Sequence, residues 1–143
     1  MGIRRQGREL ALQALYQAQL TGEQSLRNGR ETVRHFGGTG PAQTFAVEIV
    51  DGVLDARERI DELIAQSSEH WRLGRLANVD LTILRVGTYE LLHRPETPVT
   101  VIIDEAIEIA KRYGSEESAV FINGVLDQIA GLTRPGERRD APS

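Results

Sequence analysis

Arginines at positions 4, 5 and 8 crowd the start of the chain, and a tyrosine follows at position 16. Arg5, Arg8, Leu12 and Tyr16 are three or four residues apart, so on a helix they line one side. Guanidinium groups attract phosphates and an aromatic ring can stack on an unpaired base. Such a face therefore has the makings of a nucleic-acid contact. Cations in a first helical turn oppose the helix dipole, a placement that a demand for positive charge would explain. The same residues also read as a solvated helix end leading to a tyrosine at the edge of a core. Spacing alone leaves both readings open.

A second group lies near the C-terminus, in SEESAVFINGVLDQIAG. Ile122, Val125, Leu126 and Ile129 form its apolar stripe. At about 100° per residue, Phe121 falls at the stripe's edge, Glu117 and Gly124 lie beyond it, and Val120 points nearly the opposite way. Val120 and Phe121 thus border solvent, either to be covered by another helix or to meet a partner.

Catalytic chemistry finds no constellation. His35, His70 and His93 occupy separate segments without metal-ligand spacing. Asp104 and Glu108 share a helical face, but with no partner motif they read as solvated. The chain has no cysteine, no Gly-x-Ser-x-Gly, no Gly-Lys-Ser/Thr loop and no dinucleotide fingerprint. It reads as a binder, with no metal and no cofactor.

The elements that must carry these residues are helical throughout, and the fold class expected is all-α. Residues 3–20 form a first helix with alanines at 11, 14 and 18 and leucines at 12 and 15 on its apolar face. Residues 21–42 are interrupted by glycines and read as a long connection, with a short helical piece from Arg30 to Phe36. Pro41 opens a periodic run to Ser67, either one helix or two with a break near Gly52. Phe45, Ile49, Val53, Ile60, Leu63 and Ile64 are its buried positions, and Asp61 belongs to a charged, solvated face.

Trp71, Leu73 and Leu76 lead to Asn78, the expected cap of the helix LTILRVGTYELL, with Leu81, Leu84, Leu91 and Leu92 buried. Gly87 within it suggests the close approach of a neighbouring helix. Thr97 is then placed to cap a helix whose first residue is Pro98 and whose apolar face is Val99, Ile102, Ile103, Ala106, Ile107 and Ala110. Lys111 and Arg112 suit its last turn, and Gly114 can end it in a left-handed conformation. Ser115 caps the last helix and Gly131 ends it. Residues 1–131 read as a single domain and 132–143 as a disordered tail.

The chain has 143 residues and a formal net charge of −4, unevenly spread. Arg4, Arg5, Arg8, Arg27, Arg30 and Arg34 outnumber the acids of the first 35 residues, whereas acids outnumber bases in residues 43–130. The N-terminus is the basic pole. The absence of cysteine, of a signal-peptide pattern and of any long apolar run leads to the expectation of a cytoplasmic, soluble protein.

Three blocks carry a resemblance: RRQGRELALQALYQ, VDLTILRVGTYEL and, most specifically, VTVIIDEAIEIAKRYGSEESAVFINGVLD. In this order they closely resemble the NusB family of bacterial transcription antitermination factors, over roughly residues 3–130. The resemblance implies a compact domain of two small helical bundles, without catalytic activity. It also implies binding to the single-stranded boxA element of ribosomal RNA leader transcripts. The implied partners are NusE, a ribosomal small-subunit protein, and through it the RNA polymerase antitermination complex, in support of processive transcription and ribosomal RNA maturation.

Residue by residue, the resemblance assigns Arg4, Arg5 and Arg8 to phosphates and Tyr16 and Phe121 to bases. Asp80 and Glu117 match acidic positions of the same RNA or partner surface, which Val120 adjoins. The start RRQGRE is less densely basic than in many members of the family, so NusE is expected to supply much of the affinity. A homodimer through Val120 and Phe121 would compete with RNA. Two alternatives are a free-standing relative of the targeting domain of ribosomal RNA cytosine methyltransferases and a helical protein-interaction adaptor.

Overall fold

Helix-compatible periodicity runs through almost every segment, and the computed structural model, which describes residues 2–21, 33, 37, 40–68 and 77–137, follows it. Its helices are α1 (Ile3–Thr21), α2 (Gly40–Asp55), α3 (Arg57–Ser67), α4 (Asn78–His93), α5 (Val99–Tyr113) and α6 (Glu116–Thr133). No strand occurs among the described residues, and the β-looking run VTVII lies within α5. The expected helix from Arg30 to Phe36, most of the 21–42 connection, and Trp71, Leu73 and Leu76 lie outside the described residues.

The chain divides into two units, residues 1–56 and 57–143. In the first, α1 packs along α2. Ala11, Ala14 and Ala18 are almost fully buried, and Leu10, Leu12 and Leu15 flank them. Such small residues let two helices approach closely, and Gly7 takes this furthest. A Cβ there would stand 2.6 Å from Phe45 Cδ2 and 3.0 Å from the Ala42 carbonyl oxygen. The buried face of α2 is Ala42, Phe45, Ala46, Ile49, Val50 and Val53, a spacing of three and four.

In the second unit α4 packs against α3, α5 and α6. From Leu81 to Leu91 every residue of α4 except Arg85 is buried, so this helix is the core of the unit rather than one wall of it. Each large aliphatic side chain buried here contributes roughly 1.5–3 kcal/mol. Gly87 meets Leu126 of α6, whose methyl carbons would lie 3.0 and 3.1 Å from an added Cβ, which is the close approach expected of it. On α5, Ile109 is buried together with the expected positions, whereas Ile107 is only half-buried.

Several boundaries differ from expectation. The run that begins near Pro41 breaks at Ala56 rather than Gly52. Asn78 is the first residue of α4 and gives no side-chain cap; the N-cap position is Ala77. Thr97 does not cap α5 either: Pro98 is the N-cap, and the Val99 N–H donates to Glu137 Oε1 at 3.0 Å. Gly114 ends α5 at φ −120°, not in the left-handed region. Ser115 does cap α6, its Oγ accepting the Ser118 N–H at 3.0 Å.

The last helix continues two residues past Gly131, and the segment after it is fastened rather than loose. The Arg134 guanidinium donates to the carbonyls of Leu91 (2.9 Å), Glu90 (2.9 Å), Arg94 (2.7 Å) and Thr97 (2.7 Å). The expected tail of residues 132–143 is thus ordered as far as Glu137. Residues 138–143 lie outside the described part. Asp61 leaves its expected solvated face to hold Arg85 of α4 in a two-pronged pair at 2.9 and 3.0 Å.

Candidate functional site

The residues marked by sequence fall into both units. In the first, α1 presents Arg4 exposed, Arg5 half-buried and Tyr16 half-buried. Tyr16 follows the buried Leu12 along the helix and is itself partly open to solvent. Arg8 departs from expectation. It is only 3% exposed, and its guanidinium carbon lies 5.6 Å from the centre of the Phe45 ring. Its charge rests over the negative face of this aromatic ring.

Arg4 lies 5.8 Å from the same ring centre. Phe45 thus gathers two of the three N-terminal arginines. Periodicity marked Phe45 only as a buried position of α2, because nothing local to that helix says which side chains of α1 it will meet.

In the second unit the first turns of α4 and α6 are joined by a relay of hydroxyls. Ser115 Oγ donates to Ser118 Oγ at 3.2 Å, and Ser118 Oγ donates to Asp80 Oδ2 at 3.2 Å. Asp80, a half-buried residue in the first turn of α4, therefore spends one carboxylate oxygen on positioning α6. Ser118 is the member of this relay that sequence reasoning missed. Its signal was the spacing Ser115-x-x-Ser118, which could have been read as a cap partner.

Glu117 is exposed, in the first turn of α6, where its charge suits the helix dipole. Val120 is 73% exposed and Phe121 half-buried, as the helical projection required. Gly124 continues this exposed side, and a Cβ there would meet nothing within 4 Å. An apolar valine, a partly open aromatic ring and a glycine that admits close approach make a surface suited to stacking or docking. It is flanked by the carboxylate of Glu117.

Other chemistry is sparse. Asp104 and Glu108 are both exposed on α5, and no group of three or more His, Asp or Glu side chains is gathered to hold a metal among the described residues. His35 and His70 lie outside the described part, and His93 is exposed with its ring 5.5 Å from that of Tyr89. No described helix is long and apolar enough to cross a membrane.

The model of the NusB family matches residues 5–131. The transcription antitermination protein NusB of Sorangium cellulosum is 48% identical over 130 residues, which span 91% of this chain and 93% of that protein. Among solved structures, T. maritima NusB superposes with a TM-score of 0.78 at 39% identity, over 89% of each chain. A crystal structure of the antitermination factors NusB and NusE in complex with dsRNA superposes with a TM-score of 0.80 at 27% identity, covering 91% of this chain and 97% of that one.

Proposed function

This chain belongs to the NusB family, and from that premise we propose that it is a transcription antitermination factor that binds boxA RNA of ribosomal RNA leader transcripts together with NusE. The observation that carries this reading is the match to an antitermination protein at 48% identity along 93% of that protein's length. The solved complex of NusB, NusE and RNA at a TM-score of 0.80 supports both partners. The protein acts by binding within the RNA polymerase antitermination complex, in the cytoplasm, and contributes no catalysis of its own. Because the family match runs through both units, residues 5–131 work as one functional domain.

Within this reading, Arg4 and Arg5 meet phosphates, and Arg8 adds its charge from beneath the surface. Tyr16 and Phe121, both half-buried, offer ring faces that stay pre-ordered by the helices that hold them. Glu117 and Val120 belong to the RNA or NusE contact, and Asp80 fixes the helix that carries them.

Labelled boxA RNA titrated against wild type, Arg5→Ala and Phe121→Ala, with and without NusE and across a salt series, tests the proposal. Affinity should rise with NusE and fall with salt. Arg5→Ala should flatten the salt slope by about one unit, the loss of one phosphate contact. Phe121→Ala should cost about 1–3 kcal/mol at every salt, the magnitude of a stacked base. Affinity for boxA no better than for a scrambled RNA, with NusE present, would remove RNA from the reading. Arms with single- and double-stranded boxA decide which form is bound.

A further inference from the structure

The way the N-terminal arginines are held singles out a residue that neither charge nor spacing marks. Phe45 is 9% exposed, and its ring has the guanidinium carbon of Arg4 at 5.8 Å and that of Arg8 at 5.6 Å from its centre. Cations within about 6 Å of an aromatic face are attracted by the ring quadrupole, more strongly where water is excluded. The ring reaches this position because Gly7 has no side chain: a Cβ there would stand 2.6 Å from Phe45 Cδ2. Gly7 and Phe45 together form a seat between Arg4 and Arg8.

The two arginines use the seat differently. Arg8 is buried, whereas Arg4 is exposed. Both cations stand near the N-terminal end of α1, where the helix dipole is itself positive, and they repel each other. The negative face of the Phe45 ring offsets part of that repulsion. It also restricts the long Arg4 side chain before any ligand arrives, so less rotamer freedom is lost on binding.

We propose that Phe45 is a positioning residue for RNA binding: its ring holds Arg8 inside and orients the exposed Arg4 guanidinium to receive an RNA phosphate. The proposal rests on the RNA-binding reading above and adds to it a residue that touches no RNA.

The test is a double-mutant cycle on the full chain, with labelled boxA RNA and NusE, comparing wild type, Arg4→Ala, Phe45→Leu and the double variant. Phe45→Leu keeps an apolar side chain of similar reach and removes the π face. Affinity should fall roughly two- to tenfold in Phe45→Leu, the cost of ordering one long side chain that is then left to be met on binding. Arg4→Ala should then cost less in the Phe45→Leu background than in wild type. Phe45→Tyr, which keeps the ring, should bind as wild type does. In the unbound protein, the Arg4 and Arg8 side-chain NMR resonances should lose their ring-current shifts in Phe45→Leu and keep them in Phe45→Tyr.

Equal costs of Arg4→Ala in the two backgrounds would overturn the proposal, as would unchanged ring-current shifts in Phe45→Leu. Should Phe45→Leu not fold, a ring-trifluorinated phenylalanine at position 45 keeps the shape while draining the negative face, and the same loss of affinity is expected. Failure of the RNA-binding reading is seen separately, as wild type binding boxA no better than a scrambled RNA, and it removes this proposal as well.

Discussion

Replacing Arg134 by alanine removes a guanidinium that serves four carbonyl oxygens at the junction of α4, the 94–97 turn and α5. The oxygens are not equally dependent on it. Those of Glu90 and Arg94 also accept backbone N–H groups, from Arg94 and Thr97. Leu91 is different, because the residue four positions on is Pro95, which has no N–H to give. Arg134 Nε supplies that missing donor, and Leu91 is 2% exposed. A buried carbonyl left without a donor costs about 1–3 kcal/mol, and hydrogen bonds from a charged donor contribute about 1.5–3 kcal/mol. Because the four bonds share one group they do not add fully, and a loss of about 3 kcal/mol is expected.

Against a total stability of about 5–15 kcal/mol this is a large fraction. For a chain of this length it lowers the melting temperature by roughly 10 °C. Urea and thermal unfolding followed by far-ultraviolet circular dichroism measure it. Arg134→Lys separates geometry from charge. An ammonium keeps the favourable interaction with the end of the α4 dipole, about 0.3–1 kcal/mol, but cannot span four oxygens, so it should recover less than half of the loss. Termination after Thr133 should cost at least as much as Arg134→Ala, since the Glu137 carboxylate that accepts the Val99 N–H is lost too. A loss below about 1 kcal/mol in Arg134→Ala, or full recovery by lysine, would refute the argument that the fork geometry holds this junction.

Gly7→Ala should destabilise the protein by about 1–2 kcal/mol in thermal unfolding, because the clash with Phe45 and the Ala42 carbonyl outweighs the ~1 kcal/mol gain in helix propensity. Gly124→Ala, where an added Cβ meets nothing, should instead stabilise the protein by about 0.5–1 kcal/mol in urea unfolding; if the exposed side of α6 is a contact surface, the same variant should bind RNA with NusE more weakly. Thr88→Val should be neutral or stabilising by up to ~1 kcal/mol, since the Thr88 hydroxyl is fully buried with no hydrogen-bond partner among the described residues. Asp80→Ala should cost about 0.5–1.5 kcal/mol through loss of the Ser118 bond, and Ser118→Ala should cost less in that background than in wild type, because only its bond from Ser115 Oγ is then left to lose.

What could be read from the chain alone was what one helix decides for itself. The apolar faces of α2 and α6, the half-open position of Phe121 and the outward Val120 follow from periodicity, and the Ser115 cap from a hydroxyl three residues before the N–H it accepts. Gly87 announced a close neighbour, though not that it would be Leu126. What tertiary structure decided was every partnership between helices. Thr97 looked like the cap of α5 because it stands next to it, yet the Val99 N–H is taken by Glu137, 38 residues away. Asp61 looked solvated beside other charges until α4 brought Arg85 to it. Arg8 looked like its neighbours Arg4 and Arg5, and its burial on Phe45 depends on the contact of α1 with α2 that Gly7 permits. Helical spacing records which face of a segment turns inward, while the identity of the side chain that arrives there is a property of the packed chain.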